Sequence, residues 1–191
     1  MSNSLPAMTP LTALGGAAPV AQTFGTAVLT EVTNLALASV STRLGEGEIC
    51  KERLAAVLGG EIPEVEELVI HEPLSAFWMG PGQWMVVAPH ETHENIASTL
   101  KETLGASASV TEQNDAWGIF DLEGSVVQVM ELLCPINMRN FPTGSARRTT
   151  IDHMGCFVVR GDEQHLQILG PRSSAGSLHH AIVTAMRAAS V

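Results

Sequence analysis

The chain of 191 residues has no tyrosine, only 10 basic side chains against 20 acidic ones, and three cysteines, Cys50, Cys134 and Cys156. An odd, widely spaced cysteine set fits neither a disulfide framework nor a zinc site and suits a reducing cytosol, so a cytoplasmic location is expected. No run of 18 or more apolar residues occurs, and no membrane-spanning helix is expected. Residues 1–20 are rich in Ala, Pro, Thr and Gly but lack the basic and apolar blocks of a signal peptide. Nucleophile-elbow and phosphate-loop motifs are absent, and Gly80-Pro81-Gly82 leads into a strand, where a dinucleotide fingerprint would open a helix. His90 and His93 stand three apart where a metalloprotease helix needs four. His179 and His180, adjacent on a helix, diverge by about 100° and are poorly placed to share a metal. Cys134, before Pro135 at a helix end, reads as a buried structural thiol. The expectation is a chain with no catalytic, cofactor-binding or metal-binding residues of its own.

Charge is unevenly placed. Up to residue 138 there are 4 basic and 17 acidic side chains; from Arg139 onward there are 6 basic, all arginine, and 3 acidic. So acidic a chain argues against nucleic acid as a partner. The arginine-bearing end is of the kind enriched at protein interfaces and carboxylate contacts.

What is present begins with Phe77-Trp78-Met79-Gly80-Pro81-Gly82-Gln83-Trp84-Met85-Val86-Val87. Pro81 and Gly82 suit the two central positions of a type II turn, and the flanking residues have high β propensity, so the segment predicts a hairpin that nucleates a core. Before it, 35–43 predicts a strand; Ile49, Leu54, Val57 and Leu58 predict a helix stopped at Gly59-Gly60; and 68–71 predicts another strand. After it, Ile96, Leu100 and Leu104 predict one helix over 91–104, with 107–111 and 116–122 as a strand pair. A helix from Val126 to Leu133, an irregular link over 135–150, a hairpin of 150–159 with 165–169, and a last helix from Ser173 or Ser174 complete the chain. The expected class is α+β, with largely antiparallel sheets in ferredoxin-like βαββαβ order followed by further β/α elements. The expected organisation is an extended arm over 1–30 and one α+β domain over 31–191, with 135–150 as the place where it would divide into subdomains. A long link in the only basic region is expected to be functional. Arg139, Asn140, Arg147, Arg148 and Arg172 are the candidate contacts to a larger partner chain.

The hairpin around Trp78 and Trp84, the Trp117-Gly118-Ile119-Phe120-Asp121-Leu122-Glu123-Gly124 step, Cys134-Pro135-Ile136-Asn137, Phe141-Pro142-Thr143-Gly144 with Arg148-Thr149, and Pro171-Arg172-Ser173-Ser174 come in a specific order. Over roughly residues 35–190 the chain resembles the gamma subunit of heterotetrameric sarcosine oxidase, itself similar to the folate-binding domain of aminomethyltransferases of the glycine cleavage T-protein type. It departs from that pattern at Asn137, usually Asp, and at Ser174, usually aromatic. The resemblance implies a structural subunit of a complex that oxidatively demethylates sarcosine to glycine, passes the one-carbon unit to tetrahydrofolate and produces hydrogen peroxide. It further implies that FAD, FMN, NAD, tetrahydrofolate and zinc belong to other subunits, and that the partners are the alpha, beta and delta chains, with alpha the main contact. The alternative is a stand-alone folate-binding or aminomethyltransferase-like protein, in which Asp121 and Glu123 are the candidate carboxylates for a pterin edge.

Overall fold

The computed structural model describes residues 12–190. The first half carries β1 (Ala21–Phe24), β2 (Ala27–Val32), β3 (Leu35–Thr42), α1 (Gly47–Leu58), β4 (Leu68–His71), β5 (Leu74–Gly80), β6 (Gln83–Pro89), the single turn α2 (His90–His93), α3 (Ile96–Leu104) and β7 (Ala108–Glu112). The second carries β8 (Trp117–Glu123), α4 (Val126–Leu133), β9 (Ser145–Ile151), β10 (Met154–Asp162), β11 (His165–Pro171) and α5 (Ala175–Ala189). The α+β class and the antiparallel pairing are as the sequence predicts.

One sheet has the order β4-β5-β6-β3-β7. Without the edge strand β4, this is the 4-1-3-2 arrangement of a ferredoxin-like unit, with α1 and α3 on one face. The predicted hairpin is β5–β6, where Trp78 stands opposite Trp84 and Gly82 takes the positive φ of 65° that its turn requires. Trp84 is buried and donates from Nε1 to Pro63 O at 3.0 Å, so its one polar atom is satisfied inside the core. On α1 the buried face is Cys50, Leu54 and Leu58; Ile49, expected inward, is exposed, because the four-residue spacing that meets the sheet begins one position later. The helix predicted over 91–104 divides at Glu94-Asn95 into α2 and α3, with Ile96, Leu100 and Leu104 buried as expected.

The other sheet has the order β1-β2-β8-β11-β10-β9. Here β8, α4, β10, β11 and α5 follow the same ferredoxin-like course, but the fourth strand is β2, which comes from far earlier in the chain. The neighbourhood fits: Gly25, in the turn between β1 and β2, lies against Ser190 at the end of α5. Both units also carry one extra edge strand next to their second strand, β4 beside β5 and β9 beside β10.

Three sequence expectations are corrected here. Residues 107–111 and 116–122 do not pair with each other: β7 pairs with β3, β8 lies between β2 and β11, and 113–116 is where the chain passes between sheets. That passage is tied down by Leu37 N donating to Asn114 Oδ1 at 2.7 Å and Gln113 N donating to Leu37 O at 2.8 Å. The link over 135–150 is irregular only as far as Gly144; Ser145–Ile151 is the edge strand β9, which turns back through Asp152 and His153, both at positive φ. The arm expected over 1–30 includes two strands, β1 and β2; residues 1–11 of it lie outside the described residues.

The two sheets pack face to face. Leu37, Phe77, Met85 and Val87 from one meet Ile119, Phe157, Val159 and Leu169 from the other. Phe157 contacts both Phe77 and Trp117, each with ring centroids 5.5 Å apart and tilted or edge-on, the geometry ring quadrupoles favour. The layers are therefore helices, sheet, sheet, helices, with α4 and α5 covering the outer face of the β8 sheet through Leu178, Ile182 and Met130.

Gly124, after β8, has φ 84°, and a Cβ there would stand 1.9 Å from Thr26 O. The β2–β8 junction thus needs bare backbone at this point. Glu31 on β2 is 2% exposed and points to the helix side, where its carboxylate accepts from Leu14 N at 3.1 Å and Val20 N at 3.3 Å. Those bonds latch residues 12–20 over the core, with Ala13 and Leu14 packed against it. Glu31→Gln, which replaces one acceptor oxygen by a donor, is expected to cost about 1–3 kcal/mol in urea unfolding. It should also open residues 12–20 to limited proteolysis; unchanged stability and cleavage would show that the carboxylate does not hold this segment.

Candidate functional site

The expected arginine contacts do not form one patch. Arg147 and Arg148 are neighbours on β9, so their side chains leave opposite faces of the sheet. Arg147 forms a two-point ion pair with Glu66, Nε to Oε1 at 2.9 Å and Nη2 to Oε2 at 2.6 Å, and lies 5.3 Å from the Phe141 ring centre. This forked geometry is the strong form of the Arg–carboxylate contact. It joins the two sheets at their edges, where Leu68 N donates to Gly144 O at 2.8 Å and Ala146 N to Glu66 O at 2.8 Å. Glu66 is the other half of that clasp and holds a positive φ of 62°. Arg147 is therefore engaged within the chain.

Arg148 is exposed, with its guanidinium 6.0 Å from the Phe157 ring centre. Arg139 and Asn140 are exposed on the 3-10 turn Met138–Asn140, which Asn137 caps by accepting from Arg139 N at 3.0 Å. An amide oxygen does this as well as a carboxylate, so the departure at Asn137 keeps the acceptor. Arg172 is half-buried after β11, two strands away from β9, with its amide donating to Ala116 O at 3.0 Å. Arg139, Asn140 and Arg148 are thus the outward-facing members of the expected set.

A second location was visible in the sequence only as Asp121 and Glu123. The inner face of the β8 sheet is apolar where the other sheet covers it and polar beyond. There His165 on β11 lies opposite Glu123, and its Nε2 is 3.3 Å from Asp121 Oδ1. That is an ion-pair distance, and His165 is the partner this buried carboxylate oxygen faces. The Asp121 contact pulls the His165 pKa above its ordinary 6.5; burial opposes, and the charges of Asp121, Asp162 and Glu123 add to the rise. Two cavities, of about 550 and 310 Å³, share Asp162 and His165 as walls. The signal missed was His165, isolated in sequence and placed among carboxylates only by strand pairing.

His179, Cys134 and Cys156 belong to the packing of the β8 sheet. His179 is half-buried against Phe120 at 5.8 Å, where burial pushes its pKa down while Glu31 pulls it back; His180 is exposed. Cys134 is half-buried rather than fully buried, and burial raises its pKa; the buried Cys156 thiol is pushed up to about 11. Among the described residues no three His, Cys, Asp or Glu side chains gather as a metal site, and no helix is long and apolar enough to cross a membrane.

The family model described as sarcosine oxidase, gamma subunit family (SoxG) matches residues 46–186. Among solved structures, heterotetrameric sarcosine oxidase from Corynebacterium sp. U-96, in complex with pyrrole 2-carboxylate, aligns over 89% of this chain and 88% of that one at 23% identity, TM-score 0.78. The glycine cleavage system aminomethyltransferase T from Bartonella henselae aligns over 88% of this chain at 14% identity, TM-score 0.64, and this chain spans 50% of it. Both are likenesses of fold. No curated protein sequence matches.

The pH dependence of the His165 contact follows from its raised pKa. Its stabilisation is complete below the unfolded value near 6.5 and is lost as pH rises through the higher folded value. His165→Gln is expected to lower stability by up to about 1 kcal/mol at acid pH, and by less as pH rises. Denaturant unfolding of both proteins across this range measures it; a deficit that grows with pH would contradict the assignment.

Proposed function

Because the chain belongs to the sarcosine oxidase gamma subunit family, we propose that it acts as a non-catalytic subunit that holds larger chains of a cytoplasmic sarcosine oxidase together. The family match over 46–186 carries this reading, since it spans strands β4 to β11 and all the helices except the end of α5. In this reading the assembled oxidase demethylates sarcosine to glycine, hands the one-carbon unit to tetrahydrofolate and releases hydrogen peroxide. FAD, FMN, NAD and zinc sit in its other subunits. The alpha chain is the principal neighbour, with beta and delta completing the complex. Exposed Arg139, Asn140 and Arg148 face it, while Arg147 shapes that edge from within through Glu66.

Folate binding by this chain alone is the second reading, favoured by Glu123 lining a cavity of about 550 Å³, with Asp121 reaching it only through His165. Against it, the side chains around that cavity are nearly all polar, among them Thr26, Glu123, Asp162 and Gln164, where a pterin needs a mostly apolar pocket. Calorimetric titration of the isolated chain with tetrahydrofolate separates the two; saturable heat would favour the second.

Native mass spectrometry of the complex tests the first. The tagged wild-type chain should be recovered with larger, flavin-coloured chains. Recovery should fall about tenfold or more for Arg139→Glu combined with Arg148→Glu, since reversing charge at a contact adds repulsion. A colourless wild-type chain found alone would sink the subunit reading. Full assembly of the double variant would remove this edge as the interface. Arg147→Glu should fail differently, by lowering the stability of the chain itself, because it leaves Glu66 facing a like charge.

A further inference from the structure

Where the two sheets part, the cleft between them changes character along its length. One wall is apolar, formed by Leu68 and Ile70 on β4 with Val159 on β10, and Ile70 is 55% exposed. The far end is acidic, with Asp162 and Glu123 exposed beside His165 and Asp121. No lysine or arginine lines either cavity. Arg160, next to this region in sequence, is consumed elsewhere, donating to the carbonyl oxygens of Phe141, Asp162 and Glu163 at 2.6, 3.2 and 2.9 Å. Asp121 Oδ1 is shut away from water and faces His165 Nε2 at 3.3 Å, so Glu123 and Asp162 are the carboxylates left open.

We propose that this cleft is the seat of an arginine or lysine side chain carried by a partner subunit, with its methylene stem along Leu68, Ile70 and Val159 and its cationic head between Glu123 and Asp162. The proposal rests on the subunit reading above and adds a contact of the opposite polarity to the arginine edge. The match is of shape as well as charge. Long cationic side chains bury an apolar stem while keeping the head polar, and this cleft offers those two surfaces in sequence. A guanidinium or ammonium donor makes short, charge-assisted bonds to carboxylates, and arginine is enriched in interface cores. Even when protonated, His165 brings only one positive charge to the carboxylates of Asp121, Glu123 and Asp162, which leaves room for a second cation.

The test is carboxylate labelling, by carbodiimide and a small amine, of the chain within the intact purified complex, read by peptide mass spectrometry. Glu48 and Glu91, exposed and remote in sequence, are the internal references. Glu123 and Asp162 are expected to label about fivefold or more slowly than the references. Labelling of all four at the same rate would overturn the proposal while leaving the subunit reading intact. If the wild-type chain is not recovered with flavin-bearing chains at all, both fall together. Glu123→Lys and the milder Glu123→Gln then identify the occupant: recovery of complex should drop about tenfold and threefold. Slow labelling with undiminished assembly of both variants would mean that a small free cation fills the cleft, and the docking assignment would be wrong. Glu123 is exposed at the end of β8, so neither substitution disturbs the core.

Discussion

Everything in this molecule depends on two sheets that must each bury both faces. Each sheet gives its outer face to helices and can close its inner face only against the other sheet. Phe157 sits at the centre of that closure, in ring contact with Phe77 across the interface and Trp117 beside it. The edge clasp of Arg147 and Glu66, with the backbone bonds of Leu68 and Ala146, holds the sheets in register at one side. The two sheets overlap only in part: β8 and β11 meet the other sheet at Trp117, Ile119 and Leu169 and are left polar at Asp121, Glu123, His165 and Gln167. A site on this chain arises from that incomplete overlap rather than from any local motif.

The same constraint sorts the charges. Carboxylates that can be matched within the chain are matched: Glu31 by two backbone amides and Glu66 by Arg147. Those around His165 are matched only in part. Cations on the arginine-rich half divide likewise, with Arg147 and Arg160 spent on carboxylate and carbonyl oxygens, and Arg139 and Arg148 left on the surface. A subunit family is consistent with this pattern, in which unmatched groups of both signs remain at separate places.

How legible this was in the sequence depended on distance along the chain. The β5–β6 hairpin, the buried faces of α3 and α5, and the ferredoxin-like order of the first sheet follow from local turn chemistry and spacing. Strands β1 and β2 do not, because β2 turns Glu31 inward with Ala27 and Leu29 and leaves Val28 and Val32 half-exposed, which breaks the apolar–polar alternation that marks a half-buried strand. Pairing of β7 with β8 was the natural reading of two strands joined by a polar turn; only the burial of Ile119 and Phe120 on opposite faces of the second sheet shows why they separate. Arg147 looked like an interface residue because its partner, Glu66, lies 81 positions away. His165 carried no signal at all until β11 was laid against β8.

The borrowing of β2 as the fourth strand of the second unit also sets an order of events during synthesis. Glu31 pairs with Phe120, so β2 waits about 90 residues for its neighbour, roughly 5–20 s at ordinary rates of translation. In that interval the β5–β6 sheet can complete itself from contiguous chain, whereas the β1–β2 hairpin is a two-stranded ribbon of marginal stability with an open edge. The nascent chain therefore carries, for that interval, a paired five-stranded sheet whose inner face is still open and a two-stranded ribbon with a free edge, and both close together when β8 arrives.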